Sequence, residues 1–382
     1  MDKNTIYDAA VIGGGPAGSS AALHMARAGL NVCLIEKKIF PREILCGEFI
    51  SREATEILNA LGLFDEFLRL CPNPINSLKV IFKNGKTLKS ELTFTGYGLS
   101  RGIFDDFIFT QALKEGVTAL QPAQVKEISR HSASYLLTVL TSNGRIELKA
   151  AKVIAAYGRQ SSLDRALNRG FSEIKSPIDG VKLHIPEEYA PGFPKEEIHI
   201  YTGSGIYCGV NRVDNGKITV CFLEDRRNYG KAPKTHLKEL ITQNRSFKKI
   251  FSPEIFDVID SLPVYGTGNI YFGKRNAVEN GVIMAGDAAQ VIAPLAGDGI
   301  AMAFESARLA SETVIKIYRK ELAGALADEY YSLQWKHLFK NRVRNAFFIQ
   351  KAVLNPALAL PAYAAGKIFP GILKYLINST RG

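Results

Sequence analysis

Residues 6–12, IYDAAVI, run directly into the turn Gly13-Gly14-Gly15-Pro16-Ala17-Gly18, and SSAALHMARAGL continues with helical periodicity up to Gly29. Nothing else in the chain limits its fold so strongly. A short, nearly all-apolar run is what a buried parallel strand requires, because helices cover both faces of such a sheet. In the GxGxxG spacing Gly13 permits the tight turn, Gly15 lets the backbone approach a pyrophosphate, and Gly18 lets helix pack closely on strand. Pro16 and Ala17 open the helix, whose free N–H groups and positive dipole end face the phosphates. Residues 31–35 (NVCLI) read as the second strand, with Glu36 at its carboxyl end and Lys37 beside it. An acid there accepts hydrogen bonds from the ribose hydroxyls of an adenine dinucleotide. No GK[ST] follows the turn, which excludes a nucleotide-triphosphate P-loop.

The turn alone does not decide between dinucleotides, and the far end of the chain carries that decision. Residues 281–285 (GVIMA) form another buried strand, followed by Gly286-Asp287-Ala288-Ala289, then Pro294, Gly297-Asp298-Gly299 and a helix continuing from Ile300. Between the two ends lie Arg101, in LSRGIFDDFIFTQAL, and Ala156-Tyr157-Gly158-Arg159, after the apolar KVIAA. These motifs, in this order over residues 6 to about 315, resemble the flavoprotein family that includes p-hydroxybenzoate hydroxylase and the geranylgeranyl reductases. The resemblance implies FAD as cofactor. It places Asp287 on the ribityl chain, aims the helix after Gly299 at the flavin pyrimidine ring, and makes Arg101 the start of a helix leading onto the cofactor. Tyr157 stands where that family usually has Asp, a departure that weighs against a standard aromatic-hydroxylase cycle.

The segment Phe40-Pro41-Arg42-Glu43-Ile44-Leu45-Cys46-Gly47-Glu48 narrows the resemblance. A Cys-Gly pair here is similar to the geranylgeranyl reductase branch, in which this loop approaches the flavin ring. On that reading Cys46 is flavin-proximal, and Arg42 neutralises the pyrophosphate. The plainer reading of Cys46, a small buried hydrophobe, stays open. Pro294-Leu295-Ala296-Gly297-Asp298-Gly299 leans the same way, since hydroxylases commonly read Gly-Gln-Gly at that point.

Residues 176–270 change character to short alternating strands with turn signals such as Asp214-Asn215-Gly216. In the resembled family such a sheet forms the substrate cavity, with Tyr201, Tyr207 and Phe222 as candidate walls; plain core is the alternative. Gly203-Ser204-Gly205 runs into a strand instead of a helix, so it reads as sheet and turn, and no separate nicotinamide domain is visible.

Composition bounds the remaining classes. Five cysteines are scattered without a CxxC pair, so no zinc knuckle or dithiol motif exists, and the usage fits a reducing compartment. The start carries no basic-then-apolar leader, so no export signal is expected. Of the net charge of +11, the stretch after Glu329 holds +8 (Lys336, Lys340, Arg342, Arg344, Lys351, Lys367, Lys374 and Arg381) and no acid. That stretch is also apolar, but its longest charge-free run, 352–366, is too short to span a bilayer. It suits either peripheral contact with an anionic membrane through 336–382 or a solvated basic surface over packed helices. No nucleic-acid motif accompanies the charge.

The expected fold is therefore α/β, with a Rossmann-like parallel-sheet FAD-binding domain assembled from 1–75, 96–170 and 271–320. An antiparallel-sheet substrate domain, 76–95 and 171–270, and a basic, apolar C-terminal helical segment, 321–382, complete it. The expected function is FAD-dependent reduction or dehydrogenation of a lipophilic, isoprenoid-like small molecule, with NAD(P)H or another external donor, in the cytoplasm or at the membrane surface. A monooxygenase acting on an aromatic or polyketide substrate is the nearest alternative. A non-catalytic flavin-binding lipid carrier or sensor is the second, and no metal is expected.

Overall fold

The structure, a computed structural model, describes residues 5–132, 134–203, 206–227, 232–354, 359–368, 371, 375 and 379. The chain begins β1 (Ile6–Ile12), α1 (Pro16–Arg27), β2 (Val32–Ile35), β3 (Phe49–Ile50), α2 (Arg52–Ala60), α3 (Phe64–Leu68), β4 (Asn73–Phe82) and β5 (Thr87–Gly98). Then come α4 (Arg101–Lys114), β6 (Thr118–Leu120), β7 (Ala123–His131), β8 (Ser134–Thr141), β9 (Gly144–Ala155) and α5 (Ser162–Ala166). The middle holds β10 (Ile178–Pro186), β11 (Glu197–Gly203), β12 (Ile206–Arg212), β13 (Lys217–Asp225), α6 (Pro233–Gln243), α7 (Arg245–Lys248), α8 (Ile255–Val258) and β14 (Val264–Thr267). The remainder is β15 (Val278–Glu279), β16 (Val282–Met284), α9 (Gly299–Tyr318), α10 (Ala327–Leu354) and α11 (Ala359–Ile368).

The first sheet runs β15-β16-β9-β1-β2-β6, parallel from β16 to β6, with the β7–β8 hairpin joined to β9. β2 is buried along its whole length, as an interior parallel strand must be. The register sets Ile12 beside Ile35 and Ala155, and Ala155 beside Met284, so four strands end in one row. The segments that follow those ends are Gly13–Gly18, Glu36, Ala156–Arg159 and Gly286–Asp287. Four separated motifs thus meet at the carboxyl edge of one sheet, where open α/β sheets bind their ligands. α1 packs against α4 and α9. Small residues make the α1–α9 approach close: Ala17, Ala21, Ala307 and Ala310 are all buried.

The second sheet runs β14-β10-β13-β12-β11-β4-β5-β3 and is antiparallel except where β11 meets β4. Side chains alternate across it, as the pleat requires. Leu183, Val210, Val220, Phe222 and Tyr201 point to one face, where Leu237, Phe247 and Ile255 of α6, α7 and α8 cover them. Leu78, Ile200, Tyr207, Cys221 and Leu223 point to the other, against Leu45, Ile270 and Val291. This alternation corrects the expectation for two candidate cavity walls. Tyr201 and Phe222 are core beneath α6–α8, with the Tyr201 ring 3.7 Å from that of Phe247, and of the three only Tyr207 faces Leu45 and Val291.

α10 lies on α9, and Tyr331 Oη donates to the Met284 carbonyl at 2.6 Å. α11 crosses the edge of the second sheet, its Tyr363 ring 5.8 Å from that of Phe82. Among the described residues no helix is long and apolar enough to cross a membrane. Lys374 and Arg381, counted in the basic stretch, and Ser204 and Gly205 lie outside the described residues.

Candidate cofactor and substrate site

The first glycine turn is fixed by contact as much as by conformation. Gly13 takes φ +103° and its N–H donates to the Ile35 carbonyl at 2.8 Å. A Cβ on Gly18 would lie 1.7 Å from the Gly13 carbonyl oxygen, so strand and helix meet at a distance only glycine allows. Gly15 is the helix N-cap and supplies no side-chain cap, with Pro16 at the first helical position and Ala17 buried behind it. Glu36 is buried at the end of β2; its carboxylate accepts from Gly14 N–H at 2.7 Å and Lys38 N–H at 2.8 Å. Lys37 is exposed.

Two arginines converge on this turn. Arg101 opens α4 and donates to Asp105 through Nε at 2.6 Å and Nη2 at 2.7 Å, a bidentate pair one helical turn long. Arg42 reaches the same carboxylate through Nη1 at 3.0 Å and lies 3.7 Å from Glu36. Burial alone would pull Arg101 down, but the Asp105 charge outweighs it and keeps the guanidinium firmly protonated. A Cβ placed on Gly15 would meet only Arg42 Nη2 at 3.7 Å and Arg101 Nη2 at 3.8 Å. The space over Gly15 is therefore bounded by two guanidinium groups and an uncapped helix N-terminus, which is the chemistry of a pyrophosphate site.

The second motif faces the same region. Gly286 N–H donates to Ser306 Oγ at 2.8 Å, and Asp287 follows half-buried, its carboxylate without a hydrogen bond or ion pair among the described residues. A carboxylate in that state is an acceptor available to a polyol. Gly297 is left-handed at φ +62°, between half-buried Pro294 and the start of α9. Gly299 is exposed at the uncapped α9 N-terminus and Ile300 is buried behind it. Asp298 is turned away into the protein, where Arg342 Nε donates to it and Arg342 Nη1 lies 2.6 Å from Glu305. Gly158 has open space where a side chain would stand.

Tyr157, the departure noted above, donates its hydroxyl to Asp164 at 2.7 Å and accepts from buried Arg169 at 3.1 Å. Cys46 is half-buried in the loop before β3, and its sulfur accepts from Glu48 N–H at 3.3 Å. Gly47 has no atom within 4 Å of its missing side chain.

Several site residues gave no signal of their own in the sequence. Asp105 joins the two arginines. Arg275 donates to the carbonyls of Arg159 at 2.8 Å and Asp287 at 2.9 Å, tying two cofactor turns together, and burial pulls its guanidinium down to about 10. Glu48, Lys182, His184 and Thr219 form a buried polar cluster between the Cys46 loop and the second sheet.

The sequence pattern of the FAD binding domain matches residues 6–335. The chain belongs to the FAD binding domain family. It is 27% identical to a digeranylgeranylglycerophospholipid reductase of Methanoculleus marisnigri, over 97% of this chain and 95% of that protein. Among solved structures, a geranylgeranyl bacteriochlorophyll reductase-like protein of Thermoplasma acidophilum is similar with a TM-score of 0.77 and 20% identity, over 98% of this chain and 99% of that one. A p-nitrophenol 4-monooxygenase of Pseudomonas putida is similar with a TM-score of 0.76 and 19% identity, over 98% and 97%. As a family member the chain is an FAD-dependent oxidoreductase. The residues fit the cofactor: Glu36 would take the ribose, the Gly15 turn with Arg42 and Arg101 would take the pyrophosphate, Asp287 would take the ribityl chain, and the α9 N-terminus would face the ring. FAD supplies the redox step, accepting and passing on a hydride or electrons; the protein binds, orients and excludes water.

Proposed function

We propose that this oxidoreductase reduces or dehydrogenates a lipophilic, isoprenoid-like substrate by hydride transfer at flavin N5. The observation that carries the reading is the apolar inner face of the second sheet. Leu78, Ile200, Tyr207 and Leu223 lie there opposite Leu45 and Val291 of the cofactor side. These side chains are buried against one another, so a prenyl chain would enter by parting that contact and replacing it with its own methylenes. The likeness to a digeranylgeranylglycerophospholipid reductase supports the same substrate class. Reduction adds a hydride to one alkene carbon and a proton to its neighbour, and an external donor such as NAD(P)H restores the reduced cofactor.

The same proposal includes the route of the lipid. α10 exposes Leu333, Leu338 and Phe348 among Lys336, Lys340, Arg344 and Lys351, and α11 exposes Ile368 beside Lys367. Basic and apolar groups on one helix pair suit the surface of an anionic bilayer. Since α11 also touches the edge of the substrate sheet, a lipid would pass from that surface to the inner face without crossing water.

The test is turnover under argon. Protein reduced with dithionite and mixed with unsaturated prenyl lipid in anionic vesicles is expected to reoxidise and yield saturated product. Reoxidation that needs oxygen and a phenol instead would replace this reading with the monooxygenase. Bound FAD that neither lipid nor phenol reoxidises would favour the carrier.

A further inference from the structure

Glu48 makes four side-chain hydrogen bonds. It follows Cys46-Gly47, takes a left-handed φ of +58°, and is fully buried. A residue with a Cβ adopts that conformation only where its surroundings compensate. Its carboxylate accepts from four donors: Arg101 N–H at 2.8 Å, Lys182 Nζ at 2.6 Å, His184 Nε2 at 2.6 Å and Thr219 Oγ1. A carboxylate only accepts, so His184 presents an N–H at Nε2. Lys182 is itself fully buried and lies 2.6 Å from both Glu43 and Glu48. Glu43, Glu48 and His184 offer ligand atoms within 4.8 Å of one another, but the Lys182 ammonium already stands against both carboxylates, so the cation of this cluster is an amino acid.

The donors come from three elements that share no sequence neighbourhood: α4, β10 and β13. The backbone on the other side of Glu48 holds Cys46, whose sulfur accepts the Glu48 N–H at 3.3 Å. We propose that Glu48 is a positioning residue: gripped from α4, β10 and β13, it fixes the Cys46 loop where the second sheet meets α4. Cys46 thereby keeps one place relative to both the cofactor turn and the substrate. That this place matters for lipid turnover rests on the function proposed above; that Glu48 sets it does not.

The burial of the charges agrees. Burial pushes the Glu48 carboxyl up, but the His184 hydrogen bond and the Lys182 charge outweigh it and hold it at about 2. Burial pulls Lys182 down, and Glu48 with Glu43 outweigh that, so it stays above its ordinary value. Gln at position 48 would keep the shape but remove the negative charge, leaving the buried Lys182 ammonium opposite a neutral amide.

The experiment reads the position of Cys46 without flavin or lipid. In full-length protein carrying Cys71→Ser, which removes the exposed thiol, iodoacetamide at neutral pH reports Cys46. Cys33, Cys208 and Cys221 are buried, with thiols pushed upward. Glu48→Gln is expected to speed alkylation of Cys46 roughly tenfold as the loop is released. Adding Lys182→Met removes the ammonium left with one partner and is expected to restore the melting temperature but not the slow alkylation. Thr219→Val, which deletes one donor and keeps both charges, should give a smaller rise and covers the case in which Glu48→Gln fails to fold. An unchanged rate in both Glu48→Gln and Thr219→Val, or a double variant that regains the slow rate along with its stability, would overturn the proposal. In lipid turnover the expected signature is a lower kcat at little-changed KM. Normal turnover with fast alkylation would locate the failure in the proposed chemistry and leave the positioning role standing.

Discussion

The carboxyl edge of the first sheet and the inner face of the second do different work by different means. At the edge, binding groups are mostly backbone, laid out by glycines within a few residues of a strand end. Gly13 to Gly18 and Gly286 with Asp287 need only their own strands in register to arrive together. On the inner face the polar groups are side chains whose partners are distant: Glu48 meets Lys182, His184 and Thr219 across 134, 136 and 171 residues. A phosphate site can be built locally because every residue carries an N–H; a satisfied buried carboxylate cannot, because its donors must be brought from other strands.

The comparison breaks first at Gly18. If the edge depends on strand and helix touching there, Gly18→Ala should be the most damaging change of all, since its methyl would stand 1.7 Å from a backbone oxygen. A cost above about 4 kcal/mol is expected from such a clash in the core. The measurement is flavin absorbance per chain after purification, with thermal unfolding alongside; a variant that keeps full flavin and its melting temperature would refute local construction of the edge.

The same contrast explains what the sequence reveals. The parallel sheet, its two glycine motifs and the antiparallel second sheet are legible, because apolar runs and turn residues report them over short spans. Boundaries shift slightly: the second strand starts at Val32, not residue 31, and residues 281–285 contribute only Val282–Met284. Which face a strand residue occupies is less legible. Tyr201 and Tyr207 look alike in sequence, yet the pleat puts them on opposite sides of the sheet. Asp298 sits inside a cofactor motif, and only the arrival of Arg342 from α10 shows where its carboxylate points. Asp105 carries no signal of its own, although it stands four residues after Arg101. Its second partner, Arg42, comes from 63 residues away.

Acid sharpens the comparison on the inner face. The Glu48 carboxyl lies at about 2 in the folded protein, below its ordinary 4.5. A depressed carboxyl stabilises the fold fully above its unfolded value, and that stabilisation is lost as pH falls from about 4.5 through about 2. Lys182, His184, Thr219, Glu43 and the Arg101 N–H all face this group. Wild type should therefore exceed Glu48→Gln in urea midpoint at neutral pH, and the gap should close across that acid window. A gap that stays constant down to pH about 2 would mean the Glu48 charge contributes nothing to the stability of the fold.

Tyr157 gives the smallest expected effect and the finest test. It stands at the cofactor edge, but its hydrogen bonds are of the inner-face kind, with side chains of Asp164 and Arg169. Its hydroxyl is pushed upward by burial, so it remains a neutral donor. Tyr157→Phe deletes one donor, while Arg169 Nη1 still reaches Asp164 at 3.1 Å and the Ser161 capping box stays intact. A loss of about 1 kcal/mol is expected, the usual net worth of one buried hydrogen bond. Flavin retention should be unchanged, since none of the phenol's partners bounds the space over Gly15. Equal stability loss with released flavin would show that this tyrosine, and not only the glycines and arginines, shapes the cofactor turn.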